Sequence, residues 1–232
     1  AGGDSLQAMN SLRKAAAAAI KTKAIPLYFA SGNTREAAEK RAQIVEYILA
    51  RKGAALDHVP PKRPRDRRRI RVGFLNAHFG AQTETHVTLP MLQLDREKFE
   101  VQLFAVSRNP GPLEARCRSF ADTFHVLPAG LDSRVEAIRR AALDVLVIGT
   151  NVTAVTNDVG LIAAHRLAPV QLVSYCSPVS TGLRHIDGYI TGTLNDAPGL
   201  QAHFTETLRY CEGPPGCLDY TVELAATQQF DR

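Results

Sequence analysis

From Ile70 onward the chain alternates short, nearly continuous apolar runs with more polar stretches of similar or slightly greater length. No other feature constrains the fold as tightly. The apolar runs fall at 70–76, 99–106 (F-E-V-Q-L-F-A-V), 123–127, 144–149 (D-V-L-V-I-G), 170–174 (V-Q-L-V-S) and 188–192. Runs this short and this rich in Val, Ile, Leu and Phe read as strands covered on both faces. The segments between them predict helices over 86–95, 112–120, 133–142 and 157–166, the third opened by Ser133 and Glu136 as a capping box. Strands and helices in that succession build a Rossmann-like α/β fold with a doubly wound parallel sheet. A last segment, 199–210, predicts a helix leading to a short strand at Leu208–Tyr210, followed by P-P-G and a less ordered tail.

Residues 1–58 lack strand alternation and are rich in Ala, Lys, Glu and Gln. A helix is expected from Leu6 to about Lys23, interrupted by Pro26. A second one follows Asn33, with Glu36 three residues on as its capping partner. Its apolar face would carry Ala37, Ala38, Ile44, Val45, Ile48 and Leu49, and Lys52-Gly53 would stop it. The organisation expected is a helical region (1–58), a basic Pro-rich linker (59–69) and an α/β unit (70–232).

The net charge of +5 is local. Seven cations and one acid between Lys62 and Arg71 carry +6, so the rest of the chain carries −1. No aromatic residues interleave with that basic run, which argues against nucleic acid as a partner and for a solvated connector. No apolar stretch reaches the 18 or more residues of a membrane span. The first ten residues lack a basic segment followed by an apolar core, so no signal peptide is expected. Cys117, Cys176, Cys211 and Cys217 show neither CxxC nor zinc spacing. Reduced thiols, a cytoplasmic location and no bound metal are the expectations.

Phosphate-binding signatures such as G-x-x-x-x-G-K-[ST] and G-x-G-x-x-G are absent, as are G-x-S-x-G and H-E-x-x-H. The chemistry therefore rests on two polar loops at strand ends. The first follows 70–76 and holds His78, Gly80, Thr83, Thr85 and His86. Histidine suits proton transfer, and a helix start offers N–H groups to a phosphate. With Thr85 near the N-cap, His86 would stand in the first turn, either facing a ligand or packing on a neighbouring loop. The second loop follows 170–174 and holds Ser177, Pro178, Ser180, Thr181 and Gly182. Asp187 either caps a helix or orients His185.

The succession R-I-R-V-G-F-L-N-A-H-F-G-x5-H, D-R-E-K-F-E-V-Q-L-F-A-V-S, D-V-L-V-I, R-L-A-P-V-Q, S-P-V-S-T-G-L and I-D-G-Y-I-T resembles the O-GlcNAc transferase family, glycosyltransferase family 41. The likeness covers about Arg69 to Leu208, the amino-terminal half of that family's catalytic region. It implies one lobe of a GT-B architecture, preceded by helices, with the second lobe supplied in cis or in trans. It also implies transfer of a sugar, typically N-acetylglucosamine, from a UDP-sugar donor to Ser or Thr of a protein or peptide acceptor, without a metal. His86 falls on a proposed catalytic or donor-contacting histidine. Pro178, Thr181 and Gly182 fall on the family's P-G-T-S-G loop, and Gly80, Thr83, Thr85 and Ser180 flank these positions as donor- or acceptor-binding residues. The chain departs from the family in Gln82, where the loop usually begins H-P-T-S-H, and in Cys176 and Val179 around the proline. Asp144 stands about where some members carry a second functional histidine. The alternative implied is a non-catalytic interaction module derived from such an enzyme.

Overall fold

The computed structural model describes residues 21–222 and, before them, Ser11, Lys14 and Ala18. Most of the helix expected over Leu6–Lys23 lies outside the described residues. Seven strands form one sheet: β1 (Ile70–Asn76), β2 (Phe99–Ala105), β3 (Thr123–Val126), β4 (Val145–Ile148), β5 (Val170–Ser174), β6 (Gly188–Gly192) and β7 (Thr207–Cys211). Their spatial order is β3-β2-β1-β4-β5-β6-β7, and every neighbouring pair is parallel. The order reverses between β1 and β4, where Val72 aligns with Val101 on one side and Val145 on the other. The fold is Rossmann-like.

Both faces of the sheet are covered, which is why its central strands read as unbroken apolar runs. Leu75, Phe104, Leu146, Ile148 and Val173 join one core cluster; Val72, Phe74, Val101, Leu103 and Val147 join the other. The second cluster lies under α2 (Thr83–Met91) and α3 (Pro112–Ser119), through Leu89 and Leu113. The first lies under α1 (Arg35–Arg51), α4 (Leu131–Arg140) and α5 (Asp158–Ala163). Of α1, Ala38, Ala42, Val45 and Leu49 are buried, at helical spacing, whereas Ala37 is exposed. The seam is thus narrower than the face expected from sequence. The Lys52-Gly53 stop holds: Gly53 has φ 86°, and Ala54 and Gly53 donate to Leu49 and Ala50 in a Schellman pair at 3.0 Å each.

Three helix starts differ from expectation. Helix α2 begins at Thr83 rather than 86, because Gln82 is extended (φ −165°) and takes the N-cap, and it ends at Met91, one residue past Pro90. Helix α4 begins at Leu131, because Gly130 (φ 86°) turns the chain three residues before Ser133. Ser133 is therefore inside the helix, and Glu136 pairs instead with Arg139 at 3.1 Å. At α1 the N-cap is Thr34, but the Asn33 side chain does accept a backbone N–H, from Arg35 at 2.9 Å. The segment 199–210 holds only a 3-10 turn, Leu200–His203, before β7.

Two polar side chains brace the turns of the second half. Gln171 is fully buried, accepting from Ala168 N–H at 3.3 Å and donating to the His165 carbonyl at 3.1 Å, so it closes the A-P-V-Q turn. Asp187 neither caps a helix nor orients His185. It binds Arg166 through both oxygens, at 2.6 and 3.0 Å, and takes the Gln171 N–H at 2.7 Å. The basic stretch is anchored at the opposite, amino-terminal edge: Arg67 pairs with Asp144, Arg69 with Asp122 at 2.8 Å and Arg71 with Glu100 at 3.2 Å.

Gly182 has φ 68°, and a Cβ there would overlap the Ala38 backbone of α1. Gly182→Ala is expected to lower the unfolding free energy by about 2–4 kcal/mol in urea titrations, through strain and overpacking together. His165 is 2% exposed, and burial holds its imidazole below the ordinary value of about 6.5. A depressed folded-state value means the unfolded chain binds more protons, so stability is full above about pH 6.5 and falls as pH drops through that value. His165→Gln is expected to flatten that slope between about pH 7 and 5.

Candidate functional site

The carboxyl ends of β1 and β4 meet where the strand order reverses, the position at which open α/β sheets bind ligands. Asn76, the last residue of β1, is fully buried and donates through Nδ2 to Thr88 Oγ1 at 3.2 Å. Thr88 in turn donates to the Glu84 carbonyl at 2.7 Å. Gly149 follows β4, and a Cβ there would overlap Asn76 Oδ1 and Thr88 Oγ1. Absence of a side chain lets the β4 loop close on β1. Thr150 Oγ1 then accepts the Ala77 N–H at 2.8 Å.

The loop from β1 to α2 folds around His78. Its carbonyl accepts from Gln82 Nε2 at 2.8 Å and Thr85 Oγ1 at 3.4 Å, and its Nδ1 accepts the Gly80 N–H at 3.2 Å. An accepting Nδ1 assigns the proton of the neutral ring to Nε2. Gly80 presses on the Asn109 side chain and leaves no room for a Cβ. It also lines a groove of about 270 Å³ with Ala81, Asn109, Gly111, Pro112, Leu113 and Val222.

His86 is the fourth residue of α2 rather than part of its free start, and its own N–H binds the Gln82 carbonyl at 3.3 Å. The N–H groups without an intrahelical acceptor are those of Thr83 and Glu84, with Thr83 exposed and Thr85 buried. The imidazole is 4% exposed. Its Nδ1 lies 2.6 Å from the Asp219 carbonyl, and the Tyr220 ring packs on it with centroids 4.1 Å apart. A carbonyl can only accept, so Nδ1 carries a proton and, in the neutral ring, Nε2 has the lone pair.

The second loop is braced as a separate unit around Glu206, a carboxylate 1% exposed. Glu206 accepts from Ser180 Oγ at 2.8 Å, from the Thr181 N–H at 2.8 Å and from the Thr181 hydroxyl. Ser180 Oγ also takes the Thr205 N–H at 3.1 Å, and Gly182 backs onto α1. Pro178 is exposed. Ser177 Oγ accepts the Val152 N–H at 3.2 Å, linking this loop to that of β4. Cys176 nearby is pushed up to about 11 by burial, which keeps its thiol protonated at neutral pH. Asp144 stands at the amino end of β4, across the sheet from these loops.

The structure thus gathers Gly80, Thr83, Thr85 and His86 on one loop and helix start, and it holds Ser180, Thr181 and Gly182 through Glu206 and α1. Sequence reasoning missed Glu206, Asp219, Tyr220 and Asn76. It also missed Tyr28, whose hydroxyl lies 2.8 Å from Thr153 Oγ1 and ties the segment before α1 to the β4 loop.

No protein-family model matches the sequence, and no curated protein matches it. Among solved structures the chain is similar to a Thermobaculum terrenum O-GlcNAc transferase, solved as a K341M mutant, with a TM-score of 0.66 and 22% identity over 83% of this chain. The match spans 37% of that protein's length. A mycobacterial quinone oxidoreductase also aligns, with a TM-score of 0.32 and 11% identity over 75% of this chain and 45% of its own. The first likeness establishes the fold: a Rossmann-like unit of the kind found in a GT-B transferase. Among the described residues no helix is long and apolar enough to cross a membrane.

Glu206→Ala would leave the Ser180 hydroxyl and both Thr181 donors without their carboxylate. The expected cost is about 3 kcal/mol or more, read as a fall in thermal midpoint, because each buried unpaired donor costs about 1–3 kcal/mol.

Proposed function

We propose that the α/β unit is the amino-terminal lobe of a UDP-sugar-dependent protein O-glycosyltransferase of the family 41 type. The observation carrying this reading is a sheet with the fold of a known O-GlcNAc transferase, bearing a histidine at the carboxyl edge where its strand order reverses. The order of motifs from Arg69 to Leu208 supports it independently. The second lobe, with most of the donor contacts, comes in cis or in trans, and the location is cytoplasmic.

In this reading a Ser or Thr hydroxyl of a protein acceptor attacks the anomeric carbon, that of GlcNAc by the family resemblance, and the bond to the UDP oxygen breaks with inversion. The leaving diphosphate is stabilised by hydrogen-bond donors, a part taken in this reading by the Thr83 and Glu84 N–H groups and the Thr83 hydroxyl. His86 Nε2 either accepts the hydroxyl proton or contacts the donor phosphate once the ligand is bound. No metal is assigned a role. Thr85, Pro178, Ser180, Thr181 and Gly182 shape the wall of the cleft.

One observation favours a second reading, a non-catalytic module that holds a protein partner: His86 is covered by Tyr220, and the Ser180 and Thr181 hydroxyls are engaged by Glu206. Incubation of the protein and its second lobe with radiolabelled UDP-GlcNAc and a peptide acceptor decides between them. Transfer is expected, falling by about 100-fold in His86→Ala. Absence of transfer from every UDP-sugar tried, with donor binding unchanged in His86→Ala, would refute the transferase.

A further inference from the structure

The segment Gly213–Val222 leaves β7 and crosses the carboxyl edge of the sheet from β6 to α3. It starts at Gly213, with φ 95°, and continues through Pro214, Pro215 and Gly216. Gly192, at the end of β6, lies so close to the Pro214 backbone that a Cβ would overlap it, and Gly216 lies equally close to the Tyr175 ring. Farther on, Asp219 donates its N–H to the His86 carbonyl at 3.1 Å and accepts from His86 Nδ1 at 2.6 Å. Tyr220 covers the imidazole, and Val222 packs against the second core cluster and lines the groove beside Gly80 and Leu113. Asp219 Oδ1 stiffens the tip by accepting from the Thr221 N–H at 2.9 Å and its hydroxyl at 2.6 Å.

The hold on the sheet is light. Gly213 is fixed at the hinge, donating to Thr193 Oγ1 at 3.0 Å and accepting the Leu194 N–H at 2.9 Å; beyond it, the hydrogen bonds to the rest of the described residues are the two at Asp219. Leu218 and Tyr220 remain 42% and 41% exposed, and no residue of the segment is fully buried. Segments with few buried contacts and few bonds open locally at a small fraction of the global unfolding free energy. The core strands beneath do not depend on it, since their pairing runs through β1, β2 and β4.

We infer that Gly213–Val222 is a displaceable strap. Closed, it covers His86 and forms one wall of the Gly80–Leu113 groove. Lifted about the Gly213–Gly216 hinge, it uncovers both to a ligand. The inference rests on taking this edge as the ligand site, and not on which ligand binds.

Diethyl pyrocarbonate modification, followed residue by residue by mass spectrometry, reads the cover directly in the 232-residue chain. In the wild-type protein His86 is expected to react at least about tenfold more slowly than the exposed His203. Tyr220→Ala combined with Val222→Ala is expected to raise the His86 rate about tenfold without changing circular dichroism, and Tyr220→Phe to leave it near wild type. Equal reactivity of His86 and His203 in the wild type, or no change in the double variant, overturns the strap. Should the double variant misfold, amide hydrogen exchange of the wild type decides. An Asp219 N–H exchanging about 100-fold faster than Phe74 and Leu75 supports local lifting, whereas exchange together with them overturns it. A strap that lifts in a protein that, with its second lobe supplied, transfers from no UDP-sugar and whose donor binding is unchanged in His86→Ala supports the strap and refutes the transferase.

Discussion

The carboxyl edge of this sheet depends on how closely β4 can approach β1 where the strand order reverses. Gly149 has no side chain, so the β4 loop can lie against Asn76 and Thr88. That contact aligns Thr150 with the Ala77 N–H and sets the path of the loop that leads to His86. Any larger residue would push the two loops apart and, with them, the start of α2. His86 is therefore positioned by a packing contact from another strand.

Around this point the polar groups are arranged by elements distant in sequence. Glu206, just before β7, satisfies the S-T-G loop, and α1 supplies the backbone on which Gly182 rests. The helical segment before the sheet is thus in contact with the second loop as well as with the core, through Ala38, Ala42, Val45 and Leu49. A change in α1 would reach the Ser180–Thr181 backbone through Gly182. Both hydroxyls are hydrogen-bonded to a buried carboxylate whose desolvation they offset.

The parallel sheet was legible because its strands are buried on both faces, which leaves an apolar run and little else to interpret. Even the mostly exposed β3 showed itself, through Phe124 and Val126. Helix starts were less legible. Those of α2 and α4 are decided by the backbone angles of Gln82 and Gly130, whereas the side-chain pattern pointed to Thr85 and Ser133. The two polar loops were visible as clusters of Gly, Ser, Thr and His, but what each side chain binds was not. Glu206 lies 25 residues from Thr181. Asp219 lies 133 residues from His86 and carries no motif.

The amino-acid sequence by itself determined the fold class, the two polar loops and the placement of His86 in the helix that follows the first strand. These follow from local periodicity and from residue type, which neighbours along the chain are enough to express. Only the tertiary structure decided that His86 lies beneath Asp219 and Tyr220, that Ser180 and Thr181 answer to Glu206, and that the basic run is tied to acids at the other end of the sheet. Those pairings join residues far apart in the chain through hydrogen bonds and ring contacts. Such partners are chosen by the closed fold and leave no periodic trace in the sequence.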